Sequence, residues 1–493
     1  MSSKVSPTKP TKMEKDTIVM YPAPGIGHIV AMVELAKLIQ THRFNITIIL
    51  TTGLLDHPAI EVYIRRITAA HPSISFLRLP HIPLSASTSV SLAARAFGFI
   101  KANASSVATS LSQISQTSAV KAFVIDLFCT STMESASSMG IPVYYFFTSG
   151  SAVLALFSYF PKLHEQRSES FKDMIGVELR VPGNAPLTAV NMPEPLLDRG
   201  DPAYWDMLYF CSSLPKARGI IVNSFPELEP LAVNAVAEGA CFPNAESGPH
   251  VYYIGPLIAE AQQSDAKGSK GSDSKECLRW LEEQPSRSVV YLCFGSRGSF
   301  SVSQLKEIAK GLEKSGKRFL WVVKRPLEEE GAKQNKEAAK PGDAFDLASV
   351  LPDGFLERTK DRGMVVEAWA PQVEVLSHES VGGFVSHCGW NSVLEGVVAG
   401  VPMVAWPLYA EQHVNREVMV GEMKVAVGVN QRVEDGFVSA EEIEKRVREV
   451  METKEIRERS FKLKQMAMAA VAQFGSSTTA LANLLHSWTS FAS

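Results

Sequence analysis

Short apolar runs of strand composition recur along the whole 493-residue chain, and stretches of helical pattern lie between them. That alternation points to α/β architecture with mainly parallel sheets, because parallel neighbours need a crossover connection, usually a helix. In the first half the runs are "TIVMY", "FNITIILTT", "ISFLRLP", "VKAFVIDLF", "PVYYFF" and "RGIIVNSF"; in the second they are "SVVYLCFGS", "RFLWVVK", "GMVVEAW", "GGFVSH" and "VPMVAWP". The chain is too long for one compact core, so two large domains are expected.

The clearest boundary follows "VYYIGPL", where "AEAQQSDAKGSKGSDSK" (259–275) is small, polar and rich in Gly and Ser. The expected division is a disordered tail at 1–16, a first domain at 17–257, a linker at 258–275, a second domain at 276–475 and a terminal helix at 476–493 docking on the first domain. A second polar insertion at 326–346 is expected as a surface loop. Ser301 with Gln304, and Ser439 with Glu442, have capping-box spacing ahead of helical patterns. The segment "VYYFFTSGSAVLALFSYF" (143–160) raises a membrane span, but "TSGS" interrupts it. Aromatic and β-branched residues before the break suit a buried strand, and "AVLALFSYF" after it suits a buried helix.

Charge and cysteine usage remove several function classes. With 49 basic and 52 acidic residues the net charge is −3, so no broad field exists to attract nucleic acid or an anionic membrane. The six cysteines form no CxxC pair and sit mostly in or beside apolar segments, which reads as free thiols in a reducing compartment. The lysine-rich start lacks the apolar core of a signal peptide, and a cytoplasmic protein is expected.

Two stretches carry chemistry. In "TIVMYPAPGIGHIVAMVELA" a strand feeds a Pro/Gly turn, and His28 stands where the next helix begins, at the sheet edge where open α/β folds place ligands. A dinucleotide fingerprint fails: Gly25 and Gly27 lack a third glycine, since position 30 is Val30, and the second strand ends "ILTT" with no acid for a ribose. A neutral imidazole here can accept a proton, although a helix-capping histidine is the plainer alternative. Asp126 is the only charge in the apolar "FVIDLFC" and falls on the same sheet edge. A buried charge needs a partner; pairing with His28 would fix its tautomer, and bonding to nearby backbone amides is the alternative. No G-x-S-x-G elbow appears, which argues against a serine hydrolase.

The second stretch is "HCGWNSVLEGVVAGVPMVAWPLYAEQ", His387 to Gln412. Strand "GGFVSH" ends at His387 and a helix begins within a few residues, so free amides together with His387, Asn391 and Ser392 suit phosphate oxygens. Glu395, one turn further, can grip sugar hydroxyls. Taken singly, Asn391 reads as a cap, Trp390 as packing and Glu395 as surface.

The 44 residues from Trp369 to Gln412 resemble the signature box of plant UDP-sugar-dependent glycosyltransferases of secondary metabolism. "PAPGIGH", "FVID" and "FGS" at 294–296 fit the same family, while "YPAPGIGHIVAMVELAKLI" and "LPDGFLERTKDRGMVVEAWAPQ" are most similar to members acting on flavonoids, chalcones and related phenolics. The resemblance implies a GT-B fold, two Rossmann-like domains facing across a cleft, with the acceptor bound mainly by the first and the UDP-sugar by the second. It implies His28 as general base with Asp126 behind it. Trp369 would stack on uracil while the Ala370 backbone reads its edge, and Gln372 and Glu395 would bind the ribose. His387, Asn391, Ser392 and Ser296 would hold the diphosphate; Trp390, Glu411 and Gln412 would hold the sugar, with Thr148 touching the donor across the cleft. Tryptophan at Trp390 and glutamine at Gln412 go with glucose.

The implied activity is an inverting, UDP-glucose-dependent transfer to a small phenolic. The donor is a substrate, and neither a cofactor nor a metal is expected, since no D-x-D cluster is present. The expected partners are the phenolic acceptor and the UDP-sugar, with the protein a monomer free of nucleic acid and of stable membrane insertion. Phe128, Tyr145 and Phe147 are candidates for the acceptor pocket, with plain core packing as the alternative. Attack through an aromatic carbon and a non-catalytic small-molecule sensor on the same scaffold remain as alternative functions. One departure from the family pattern is "FGSS" at 474–477, where many relatives have "GGSS".

Overall fold

Nearly every residue of the central strands is buried, as parallel strands covered by helices on both faces must be. The structure, a computed structural model, describes residues 16–54, 58–83, 90–243, 248–260, 271–326 and 346–489. Most of the expected tail, residues 261–270 of the expected linker and nearly all of the second insertion lie outside the described residues.

The first half builds β1 (Thr17–Tyr21), β2 (Asn45–Leu50), β3 (Ile74–Arg78), β4 (Val120–Asp126) and β5 (Val143–Phe147). A small antiparallel pair follows, β6 (Glu178–Leu179) and β7 (Leu187–Thr188), and then β8 (Gly219–Val222) and β9 (His250–Tyr253). Its main sheet has the order β3-β2-β1-β4-β5-β8-β9, parallel throughout. The second half builds β10 (Val289–Cys293), β11 (Arg318–Val323), β12 (Gly363–Glu367), β13 (Val381–Ser386), β14 (Met403–Ala405) and β15 (Ala426–Gly428). They form a second parallel sheet, ordered β12-β11-β10-β13-β14-β15. In each sheet the strand order reverses beside the first strand, between β1 and β4 and between β10 and β13. Chain segments leaving the C-terminal ends of strands at such a reversal diverge and open a crevice.

Several local expectations are modified. A helix begins at Gly271, so the last residues of the expected linker are helical. The 143–160 segment is β5 followed by the helix Ser151–Glu165, and among the described residues no helix is long and apolar enough to cross a membrane. Ser301 and Ser439 do accept from the amides of Gln304 and Glu442, but neither box closes reciprocally. The Gln304 amide instead brackets Val438, donating to its carbonyl and accepting from its N–H at 2.8 Å each, and Glu442 accepts from Asn430 N–H. None of the six cysteines, all among the described residues, is joined in a disulfide.

The terminal helix Ser476–Thr489 packs on the first domain. Trp488 is fully buried there, 5.9 Å from the Phe44 ring and 5.7 Å from Tyr144, beside Leu481, Leu484 and Leu485. The "FGSS" turn that feeds it puts Phe474 at φ 67°, a conformation that glycine adopts without a Cβ penalty. Ser477 then donates to the Gly255 carbonyl at 2.5 Å, which ties the helix start to the end of the first half. An apolar cluster also runs across the two halves, joining Leu156 and Phe157 to Trp390, Val414 and Val418.

Candidate active site

His28 lies in the first turn of the helix Ile26–Gln40, which starts at Gly25 in a φ 122° conformation that disfavours any side chain. Its Nδ1 is 2.7 Å from Asp126 Oδ2, and Thr148 Oγ1 stands 3.2 Å from the same nitrogen. Asp126, at the end of β4, is only 2 % exposed, but both its oxygens are occupied: Oδ1 accepts the Phe128 N–H at 3.0 Å. Both alternatives considered for Asp126 are thus realised at once. With Nδ1–H engaged by the carboxylate, Nε2 is left to accept a proton, and His28 keeps 31 % of its side chain exposed to do so. Burial opposes protonation of His28, but the charge and hydrogen bond of Asp126 more than offset it, so its pKa lies above the ordinary imidazole value.

The segment between β5 and the helix Ser151–Glu165 ties this base to the second domain. Thr148 meets His28, and Ser149 Oγ donates to Glu411 Oε1 at 3.1 Å. Gly150 lies so close to the Trp390 indole and to Glu229 that a Cβ would come within 2.6 Å of both. Glu229, fully buried, accepts the Ser151 and Ala152 N–H groups at 2.8 and 3.0 Å and the Ser224 hydroxyl at 2.6 Å, holding the helix start in place. Trp390 Nε1 donates to the Asn223 carbonyl at 2.7 Å, and Asn391 Nδ2 donates to the Gly27 carbonyl at 3.3 Å, one residue before His28.

In the second domain the box residues converge at the β10/β13 reversal. His387 is wedged between Gly295 and Gly389, where a Cβ on either would stand 2.4 Å from its Nε2. Burial, with the Lys324 charge nearby, pushes its pKa down to about 4, so the imidazole is neutral, and its buried Nδ1 has no hydrogen-bond partner. Asn391 and Ser392 lie in the first turn of the helix Trp390–Ala399. Gln372 Nε2 donates to Ser392 Oγ at 2.8 Å and to Glu395 Oε2 at 2.5 Å, and burial pushes the Glu395 carboxyl up to about 7. Trp369 is half exposed beside the buried Ala370. Ser296 is exposed on the loop after β10. Gln412 is buried, and its Oε1 accepts the Leu408 and Tyr409 N–H groups, which shapes the loop that carries Glu411.

The three aromatic candidates separate. The Phe128 ring lies 5.6 Å from His28 at a tilt of 57° and belongs to a cluster with Phe97 and Phe210, at 4.9 and 6.2 Å. Tyr145 and Phe147 lie in the core: the Tyr145 hydroxyl bonds Thr130 at 2.9 Å, and Phe147 packs on Phe157. Both belong to β5, which is buried at every position, whereas Phe128 lies just past the end of β4. The Trp390 indole is buried in the contact between domains, in line with the packing reading of that residue. Asn223, Glu229, Ser149, Lys324, Tyr409 and Arg297 were not singled out in the sequence. For Asn223 a signal existed: a polar group directly after the buried run "GIIV" resembles the pattern that marked Asp126. Among the described residues no group of three or more His, Cys, Asp or Glu is arranged to hold a metal ion.

The chain that carries this paired imidazole and the glycine-flanked His387 matches known proteins closely. The family model described as UDP-glucoronosyl and UDP-glucosyl transferase matches residues 261–469. UDP-glycosyltransferase 88F3 of Pyrus communis is 56 % identical over 485 residues, covering 96 % of this chain and 100 % of that one. Phloretin 2'-O-glucosyltransferase of Pyrus communis is 55 % identical, with 96 % and 100 % covered. Among solved structures, Phytolacca americana UGT2 complexed with UDP-2fluoro-glucose and pterostilbene superposes with a TM-score of 0.82 at 35 % identity, covering 96 % of this chain and 100 % of that one. The fold is therefore GT-B, and the chain belongs to the UDP-glucuronosyl and UDP-glucosyl transferase family.

Proposed function

We propose that the protein is an inverting glucosyltransferase that moves glucose from UDP-glucose to a hydroxyl of a flavonoid, chalcone or other small phenolic. The observation that carries the reading is the 2.7 Å His28–Asp126 pair, set one residue from the Gly27 carbonyl to which the donor-box residue Asn391 is bonded. The relatives named as phloretin 2'-O-glucosyltransferases and the pterostilbene complex support a phenolic acceptor. The Phe97–Phe128–Phe210 cluster offers such a ring an apolar wall beside the base.

In this mechanism the phenolic oxygen attacks the anomeric carbon as His28 Nε2 takes its proton. The new carbon–oxygen bond forms on the face opposite the leaving group, so an α-linked donor gives a β-glucoside, and UDP departs with the bonding electron pair. Asp126 steadies the imidazolium until its proton passes to solvent. The departing charge is met by His387, Asn391, Ser392, Ser296 and the amides of the helix start. Trp369 stacks on uracil beside the Ala370 backbone, Gln372 and Glu395 take the ribose, and Glu411, Gln412 and the Trp390 backbone take the sugar, with Thr148 reaching it from the first domain. On this reading the enzyme works as a cytosolic monomer without a metal ion.

His28→Ala should lower turnover by about 10²- to 10⁴-fold, the usual worth of a positioned base, while UDP binding is retained. Initial rates with UDP-glucose and a phenolic panel, alongside calorimetric UDP titration, test this. Normal glucosylation by that variant would remove His28 as the base. Acid-stable products would show that the sugar is attached to carbon.

A further inference from the structure

The groups assigned to the diphosphate share one property: none carries a full positive charge. His387 is neutral, with its pKa pushed down to about 4, and Asn391, Ser392 and Ser296 are neutral by nature. Lys324 is close by, but its amine is bonded to the Gly295 carbonyl, and burial lowers its pKa. A leaving diphosphate gains charge as its bond to the sugar breaks, so a fixed cation at that point stabilises the transition state more than the ground state.

Arg297 is a neighbouring cation that makes no ion pair among the described residues and lies over the Tyr409 ring. It follows Ser296 on the loop leaving β10, at the reversal of the second sheet. Its guanidinium carbon lies 4.7 Å from the centroid of the Tyr409 ring, and that ring is 6.2 Å from the ring of His387. Gly295, two residues before it, is the glycine pressed against His387. Its side chain is exposed, and no carboxylate among the described residues pairs with it, so its N–H groups are available to a ligand. Its charge also reaches His28 on the opposite wall, where it opposes protonation of the imidazole. Arg297 therefore rests on Tyr409, a ring next to His387, with its charge felt at His28.

We propose that Arg297 is a further catalytic residue of the transfer, its guanidinium engaging the β-phosphate of the donor and neutralising the charge of the departing UDP. The inference rests on the donor site proposed above. The planar fork matches two phosphate oxygens at once, which a lysine ammonium cannot do. The residue takes the place that a divalent ion holds at other diphosphate-transfer sites.

The test compares UDP with UMP, which lacks the β-phosphate. Calorimetric titration of the whole protein and of Arg297→Ala should show UDP affinity falling about 10- to 100-fold, the worth of one charge-assisted contact, while UMP affinity changes less than about two-fold. Turnover of the variant should fall in parallel and recover in part on adding guanidinium chloride at low millimolar concentration, and Arg297→Lys should bind UDP with intermediate affinity. Unchanged UDP affinity in Arg297→Ala, or equal losses for UDP and UMP, would overturn the assignment. If the wild-type protein binds UDP no better than UMP, the donor site itself is wrong and this inference falls with it. The exposed loop position makes misfolding a poor explanation for a selective loss of UDP, and an unchanged thermal midpoint would exclude it.

Discussion

Replacing Asp126 by Asn removes a charge and one acceptor from a site where both oxygens are in use. In the wild type Oδ2 faces His28 Nδ1 at 2.7 Å and Oδ1 accepts the Phe128 N–H at 3.0 Å. Asparagine has only one oxygen for these two donors. If that oxygen stays with Phe128, the amide NH₂ faces His28, Nδ1 must become the acceptor and the proton moves to Nε2, the atom that should be taking one. If the amide flips, the correct tautomer survives, but two N–H groups oppose each other at Phe128, which costs about 1–3 kcal/mol. Losing charge assistance to the imidazolium costs about 1 kcal/mol more. The sum, about 2–4 kcal/mol, predicts a fall in kcat of about 30- to 10³-fold. The pH profile adds a readout that simple misfolding would not give. Turnover needs neutral His28, so it rises as pH climbs through a pKa that Asp126 holds above the ordinary value. In Asp126→Asn the opposing effect of burial remains, and the rising limb should move to lower pH. Initial rates from pH 5 to 9, with UDP affinity measured in parallel, decide the matter. A variant with wild-type kcat, or with an unmoved limb, would refute the reasoning.

Three further outcomes follow from the same geometry. Glu395, with its carboxyl pushed up to about 7 by burial, must be ionised to accept two ribose hydroxyls, so UDP affinity should weaken as pH falls from 8 to 6; calorimetry should show that dependence disappear in Glu395→Gln. Trp369→Ala removes the exposed indole face and should raise the Kd for UDP by about 5- to 150-fold, the usual worth of stacking one base, with little change in thermal midpoint. Glu229→Gln places an NH₂ group against a backbone N–H at the start of the helix Ser151–Glu165, and scanning calorimetry should show a loss of about 1–3 kcal/mol in stability.

The sheet frame was legible because long apolar runs separated by helical patterns leave few other architectures. What escaped was short. β15 has three residues and β9 four, just before the stretch read as a domain boundary, so neither offers enough alternation for a period to register. The His28–Asp126 pair was readable from a lone charge in an apolar strand and a histidine at a strand end, two local signals that topology brings together. Glu229 lies past its strand in "FPELEP", two residues after another glutamate, and its partners are backbone amides 77 and 78 residues away, which side-chain types do not reveal. Trp390 carried two readings, packing from the residue itself and the sugar from its place in a motif; the indole packs against Gly150, a contact that depends on how the two halves meet. Arg297 sits in a loop of small residues, and its sequence setting does not distinguish a solvated side chain from one laid over Tyr409.

The docking of the last helix governs how this enzyme can be recombined with its relatives. The chain leaves the first half near residue 257 and returns to it at Ser476, so a chimera joined at a single point would pair Trp488 from one parent with the Phe44 and Tyr144 socket of the other. Exchanges of the first half need two crossover points, so that the carboxyl-terminal helix travels with the sheet it covers.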